Sequence, residues 1–270
     1  AVFEVEKRRN KMLITESFAD YRLLASSHLT SHALADFRRC PLGYRQKRQG
    51  IICDIDRPSY KIGRAAHTRI LEGEAKYTAE YAIGGPVNEK TGRPYGAETN
   101  AYGEWSAAQG RPCLTLEQAD LIRQYADGIL RNTLATNLLA DGAPEQTARV
   151  GYCGIACQAR IDWAHPALGV IDLKTCENLD NFEHDARRYK YIHQMAFYAA
   201  ILNIAEKRLG GSARIIAVEK SPPYRCGVWE IAQTALDAAR KENELAIDAL
   251  KRCVDSDTWP TGYEDMRILY

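Results

Sequence analysis

Residues 157–175 read Cys157-Gln158-Ala159-Arg160-Ile161-Asp162-Trp163-Ala164-His165-Pro166-Ala167-Leu168-Gly169-Val170-Ile171-Asp172-Leu173-Lys174-Thr175, and the rest of this 270-residue chain is understood from them. The apolar stretches around the two acids, residues 155–162 and 169–175, have the character of strands. His165-Pro166 and Gly169 between them are turn residues, so the segment predicts a β-hairpin. Side chains alternate along a strand, which puts Asp172 and Lys174 on one face and Ile171 and Leu173 on the other. The second face can enter a core. The first holds a carboxylate beside an ammonium, and the hairpin delivers Asp162 to it from the neighbouring strand. Two carboxylates that converge repel unless a cation lies between them. A hard divalent ion such as Mg²⁺ takes such oxygens. Lys174 would then stand where an attacking water is oriented and negative charge develops. Read alone, an Asp-x-Lys at a strand end is equally a surface ion pair.

The length suffices to bury a full core in one domain. A content of 46% hydrophobic and 26% charged residues is ordinary for a soluble globular protein. No apolar run approaches the ~18 residues of a membrane span. Residues 1–11 are polar and lack the apolar core of a signal peptide, so a cytoplasmic protein without membrane association is expected. The eight cysteines (Cys40, Cys53, Cys113, Cys153, Cys157, Cys176, Cys226 and Cys253) are scattered without a CxxC pair, which points to reduced thiols rather than a zinc site or disulfide scaffold. A formal net charge of +1 neither marks nor excludes a DNA-binding protein, because acids gathered at a metal site offset a basic channel.

Residues 1–27 read as an N-terminal arm. N-cap residues at 26–31 start a helix over 31–40 with Leu34 and Phe37 on one face, stopped by Pro41. Arg38, Arg39, Arg45, Lys47 and Arg48 make this region basic, as a solvated helix face or as a phosphate contact. A second helix over 60–71 lines up Ile62, Ala66 and Ile70, with Gly63 and His67 on the adjacent stripe. A glycine one turn before a histidine lets a backbone or ligand approach, although a single helical histidine is more often packed or at the surface. Residues 72–115, rich in Gly, Pro, Asn and Thr, read as a loop insertion with a short helix near 101–109. Thr115-Leu116-Glu117-Gln118 is a capping box opening a helix to about Leu139, with Leu121, Ile122, Tyr125, Ile129 and Leu130 inward.

Asp141-Gly142-Ala143-Pro144 breaks that helix. A strand over 145–152 then joins the two around Asp162 and Asp172 in an antiparallel meander. Glu145, at its start, reaches the same metal or is simply exposed. A helix over 191–209 puts Gln194 and Tyr198 on one face, to position a water or phosphate or as ordinary edge-of-core residues. Strands over 213–220 and 226–231, a helix over 232–253 and a tail from Trp259 follow. This order predicts an α/β fold, a mixed central sheet flanked by helices, in a single domain over 28–262 with a tail at 263–270.

With these segments in order, the chain resembles the RecE-type (exodeoxyribonuclease VIII) branch of the PD-(D/E)xK nucleases and, more distantly, the RecB nuclease domain and lambda exonuclease. The resemblance runs through the helix at 29–41, Gly63-Arg64-Ala65-Ala66-His67, Pro144-Glu145, Arg160-Ile161-Asp162, Asp172-Leu173-Lys174-Thr175, Gln194-Met195-Ala196-Phe197-Tyr198 and Asp257-Thr258-Trp259-Pro260. It implies a restriction-endonuclease-like core in which Asp162, Asp172, His67 and the Leu173 carbonyl hold metal and Lys174 orients water. Gln194 and Tyr198 match the final motif, and Glu145 the outer acid. Ile161 replaces the signature proline, and Asp172 replaces the more frequent Glu with a side chain one methylene shorter.

The implied cofactor is Mg²⁺, with Mn²⁺ able to substitute. The implied activity is 5′→3′ degradation of one strand at linear double-stranded DNA ends, leaving 3′ tails for a single-strand annealing partner. A ring-shaped homo-oligomer, tetramer or trimer, is implied as well. The alternatives are a structure- or sequence-specific endonuclease with the same site and a non-catalytic DNA-end-binding module, although such a module has no need of Lys174. Arg64 and Arg160, beside proposed catalytic residues, are expected phosphate contacts. Cys40-Pro41 stands where iron–sulfur members of the superfamily place their first cysteine, but only Cys226 and Cys253 follow the last motif, so no iron–sulfur cluster is expected.

Overall fold

The computed structural model describes residues 13–54, 58–208 and 210–268. Residues 1–12 of the N-terminal arm, position 209 of the 191–209 helix and the last two tail residues lie outside the described residues. The chain begins with β1 (Leu13–Thr15), α1 (Phe18–Leu23), α2 (Ser31–Arg39) and α3 (Pro41–Arg48). Next come α4 (Pro58–His67), a π-helical turn (Thr68–Glu72), α5 (Glu74–Glu80), β2 (Ala82–Ile83), α6 (Asn100–Ala108) and β3 (Cys113–Leu114). Helices α7 (Leu116–Leu130) and α8 (Thr133–Leu138) lead into β4 (Ala143–Tyr152), β5 (Ile155–His165) and β6 (Gly169–Cys176). The chain continues through α9 (Phe182–Arg188), α10 (Tyr191–Glu206), β7 (Ala213–Glu219), β8 (Cys226–Glu230) and α11 (Gln233–Ser256).

The fold is α/β, with a mixed, mostly antiparallel sheet of order β1-β4-β5-β6-β7-β8 between two helical layers. β4, β5 and β6 form the expected meander. β6 pairs with β7 in parallel, and α10 makes the crossover that a parallel pair requires. Alternation divides the strands between two cores. Val170, Ile215 and Ala217 pack with α2, α10 and α11, whereas Ile171, Leu173, Ile216 and Val218 pack with α4, α7 and α8. Because α10 is covered by sheet and helices together, it is apolar nearly all round, with Met195 through Leu202 buried.

Several local expectations change. Pro41 does not end the helical region. It is the first residue of α3, where its missing N–H costs nothing, and the Cys40 thiol caps the helix by accepting from the Gly43 amide at 3.2 Å. The helix opened by the Thr115 capping box stops at Leu130 rather than Leu139. Asn132 accepts from the Leu134 and Ala135 amides and starts α8. Leu130 therefore points outward, 68% exposed, while Ile122, Tyr125 and Ile129 are buried as expected. α4 begins at Pro58 and gives way to the π-helical turn before residue 71. The 72–115 region is more than loop: it holds α5 and α6, and α6 with the parallel β2–β3 pair encloses Ala82, Tyr102 and Cys113 in a small core of their own. Among the described residues no helix is long and apolar enough to cross a membrane.

Gly169 carries the turn of the central hairpin. Its φ is +79°, and a Cβ there would stand 2.5 Å from the Ser212 carbonyl oxygen, a backbone atom that cannot yield. Gly169→Ala is expected to cost about 2–4 kcal/mol from strain and overpacking together. By calorimetry that appears as a fall in Tm of about 5–10 °C.

Candidate functional site

The register of the meander aligns three acids. Pro144 pairs with Trp163 and Gln146 with Ile161, so Glu145 lies opposite Asp162 across the β4–β5 ladder. Glu145 itself has φ 50°, in the left-handed region, and drops out of the pairing. On the other side Trp163 pairs with Ile171, and Asp162 and Asp172 follow just beyond the last paired rung. There the Leu173 amide donates to Asp162 Oδ2 at 2.9 Å instead of to a backbone carbonyl. β5 also rolls over at this point: Ile161 packs in the α10-side core and Trp163 in the opposite one, although two residues apart would ordinarily share a face. The acids thus sit where the strand departs from regular pairing.

His67, the last residue of α4, faces two of them, with Nδ1 3.4 Å from Asp162 Oδ2 and 3.8 Å from Glu145 Oε1. No described atom lies within 4 Å of where a Cβ on Gly63 would stand, so the turn of α4 before His67 is open to an approaching ligand. Arg160 takes the other edge of Glu145, its Nε 2.6 Å from Oε2, and donates from Nη1 to the Glu16 carbonyl at 2.7 Å. The phosphate contact expected of Arg160 is therefore corrected. Its guanidinium is largely enclosed and committed to fixing Glu145 and the segment before α1.

On the α10 side, Asp172 is 1% exposed. Its Oδ2 lies 2.5 Å from Lys174 Nζ, and Gln194 Nε2 approaches Oδ1 at 3.4 Å. Gln194 also donates to the Tyr198 hydroxyl at 3.1 Å, so the two residues four apart share one face of α10 and meet the acid together. Ser31, at the start of α2, bonds to the same hydroxyl. The Lys174 ammonium lies 4.9 Å from the centroid of the Tyr191 ring.

The electrostatics follow from crowding. Burial, then the facing Asp172 carboxylate, pushes Asp162 up to about 7, against the pull of His67. Burial works against a charged His67, yet Asp162 and Glu145 outweigh it and raise the imidazole to about 9. For Glu145, burial pushes upward but His67 and Arg160 prevail and hold it below the usual carboxylate range. Burial opposes the Lys174 charge as well, and Asp172 and Asp162 restore it.

This donor set fits a divalent cation. His67, Glu145 and Asp162 bring ligand atoms within 4.8 Å of one another. Asp172 Oδ2 is buried, and its close neighbour is the Lys174 ammonium at 2.5 Å. Of the ligands expected from the sequence, Asp172 stands outside that tight group and is engaged by Lys174 and Gln194, while Glu145 is inside it. The Leu173 amide, rather than its carbonyl, is the group seen in contact with an acid. His67→Ala is expected to weaken Mn²⁺ binding about tenfold or more, measured by calorimetry on the isolated protein.

The basic stretch around α2 and α3 is neutralised internally. Arg38 pairs with Glu242, Arg39 and Lys47 with Asp36, and Arg45 with Asp257. Arg48 donates to the carbonyls of Ala25 and Ser26. The sequence missed the segment before α2. β1 extends the sheet by pairing with β4, Glu16 binds Arg149 at 2.5 Å, and Tyr21 lies beside Arg160 and Tyr198.

Comparison with known proteins agrees with this layout. The family model described as a PDDEXK-like domain of unknown function (DUF3799) matches residues 30–269. A crystal structure of a Eubacterium rectale protein, provisionally named an exonuclease, superposes with a TM-score of 0.69 at 12% identity over 95% of each chain, which is a likeness of fold. No curated protein matches the chain. With the family pattern spanning nearly the whole chain and the D-x9-D-x-K residues lying on the central hairpin of the sheet, the protein belongs to the PDDEXK-like domain family.

Proposed function

We propose that the protein is a metal-dependent exodeoxyribonuclease of the RecE-type branch. In this reading it hydrolyses one strand of linear duplex DNA from the 5′ end and leaves 3′ tails for an annealing partner. The observation that carries the proposal is the Asp162–Asp172–Lys174 constellation: two facing acids, the first pushed up in pKa by the second, and an ammonium 2.5 Å from Asp172 Oδ2. A surface ion pair has no reason to gather three carboxylates in one place, whereas a cation site does.

Asp162 and Asp172 would hold Mg²⁺, or Mn²⁺ in its place, with His67, Glu145 or the Leu173 carbonyl completing the set. When bound, the ion supplies a water of lowered pKa and neutralises charge on the scissile phosphate. Lys174 directs the attacking water and stabilises the charge that develops on the phosphoryl oxygens. Gln194 and Tyr198 hold Asp172 in its rotamer, and Arg160 does the same for Glu145. Arg64, on α4 beside His67, contacts substrate phosphate. The open turn at Gly63 is the approach for DNA. A ring-shaped tetramer or trimer is part of the same reading.

The decisive assay uses linear duplex DNA labelled at one 5′ or one 3′ end, with closed circular DNA as companion substrate. Mg²⁺-dependent release of the 5′ label, absent in EDTA and in Asp172→Asn, with circles left intact, is the expected result. Nicked or linearised circles would favour the endonuclease. DNA binding without cleavage of any substrate would favour an end-binding module.

A further inference from the structure

Among the described residues, the Lys174 ammonium makes two close contacts of opposite character, with Asp162 acting on it as a further carboxylate. One is Asp172 Oδ2 at 2.5 Å, and the other is the ring of Tyr191, whose centroid is 4.9 Å away. A cation bound by Asp172 would draw on the same carboxylate and would repel the ammonium. A lysine on a four-carbon stem with no second partner would then swing away into the cleft. The ring is a partner of a different kind. Its face attracts a cation, carries no charge and offers no ligand to a metal. It is also firmly placed. Tyr191 opens α10 directly after Lys190, which adopts φ 61°, and its ring lies between Phe182 at 6.3 Å and Tyr189 at 5.9 Å. Phe182 in turn packs on Trp229 at 4.4 Å.

We infer that Tyr191 is the positioning residue for Lys174: its ring face keeps the ammonium over the scissile site when a divalent cation takes the Asp172 carboxylate. The inference deepens the nuclease reading and rests on it. Its role is confined to the loaded site, because in the metal-free protein Asp172 alone can hold the lysine. The ring face, rather than the hydroxyl, is the active feature, so phenylalanine serves and leucine, apolar but without a ring, does not.

The test combines kinetics with a signal that does not depend on turnover. In protein carrying ¹³C-lysine, the Lys174 ε-methylene resonance is expected to be shifted upfield by the Tyr191 ring current, with assignment by Lys174→Arg. That shift should persist at saturating Mg²⁺ and vanish in Tyr191→Leu. Tyr191→Leu should lower kcat about tenfold with KM within twofold. Tyr191→Phe should restore kcat to within about threefold, and Mn²⁺ affinity by calorimetry should be the same in all three proteins. A Tyr191→Leu enzyme with parental kcat overturns the inference. So does a Lys174 resonance that Tyr191→Leu leaves in place, or one that loses its shift when Mg²⁺ is added to the parent. A parent inert on every DNA substrate removes the nuclease reading instead, and the resonance then decides the ring contact by itself.

Discussion

Asp172→Asn and Lys174→Met are each expected to reduce DNA cleavage by about 100- to 1,000-fold in kcat, while DNA binding and cooperative unfolding persist. The two substitutions remove different things. Asp172 is almost wholly buried and faces Asp162, so in the nuclease reading its charge serves a bound cation as well as the Lys174 ammonium. Asparagine keeps the volume, and its side-chain oxygen can still accept from Gln194 at the 3.4 Å position seen for Oδ1. What is lost is one negative charge and one ligand oxygen, so metal affinity should fall along with kcat. Lys174→Met keeps the stem that packs at the Tyr191 ring and removes only the ammonium. Metal affinity should then hold or rise, because a competing cation 2.5 Å from Asp172 has gone, while kcat falls. Alanine at either position is the poorer probe, since truncating one partner of a buried pair leaves the other uncompensated at a cost of about 3–5 kcal/mol. Parental cleavage by either variant would mean that this site does not perform the chemistry.

The central hairpin was legible because two local rules agreed there. Alternation assigned Ile171 and Leu173 to one core and Asp172 and Lys174 to the other side, and Gly169 with His165-Pro166 fixed the turn. The Gln194–Tyr198 pair was legible for the same reason, because a four-residue spacing survives any helix packing. Pro41 was misread because a proline is compatible with both a helix stop and a first helical position. The Cys40 thiol that settles the matter is a weak and uncommon cap.

Arg160 was misread for a non-local reason. Two residues before Asp162, it was expected to share that acid's substrate, yet the β4 register sets its guanidinium against Glu145, fifteen residues away. Glu16 and Tyr21 were out of reach altogether. They act through the pairing of a three-residue strand with residues more than a hundred positions later, and so short a strand leaves no periodic signal.

Asp162→Asn should do two opposite things: abolish cleavage, and make the metal-free protein more stable, with a Tm in EDTA at pH 8 higher than the parent's by about 3 °C or more. The Asp162 side chain is 13% exposed, and burial together with Asp172 raises its pKa to about 7 from an ordinary value near 3.8. A carboxyl whose folded-state pKa is raised takes up its proton more readily in the native state. Its contribution to stability is therefore fully present below the unfolded pKa and is lost as pH climbs toward 7. His67, raised from 6.5 to about 9 by the same acids, acts in the same direction over a later window, and its contribution fades as pH rises through 9. The metal-free parent should accordingly lose stability steadily from about pH 4, through the Asp162 window, to about pH 9, through that of His67, the reverse of ordinary acid denaturation.

Asparagine cannot ionise, yet its oxygen can still accept from the Leu173 amide, so much of this slope should flatten without loss of that contact. Mg²⁺ should raise the Tm of the parent and barely move that of Asp162→Asn, because a cation relieves the repulsion that the substitution has already removed. A parent whose metal-free Tm is flat from about pH 4 to 9 would show that the acids at this site are not held in conflict. The reason for placing a cation between them would then be gone.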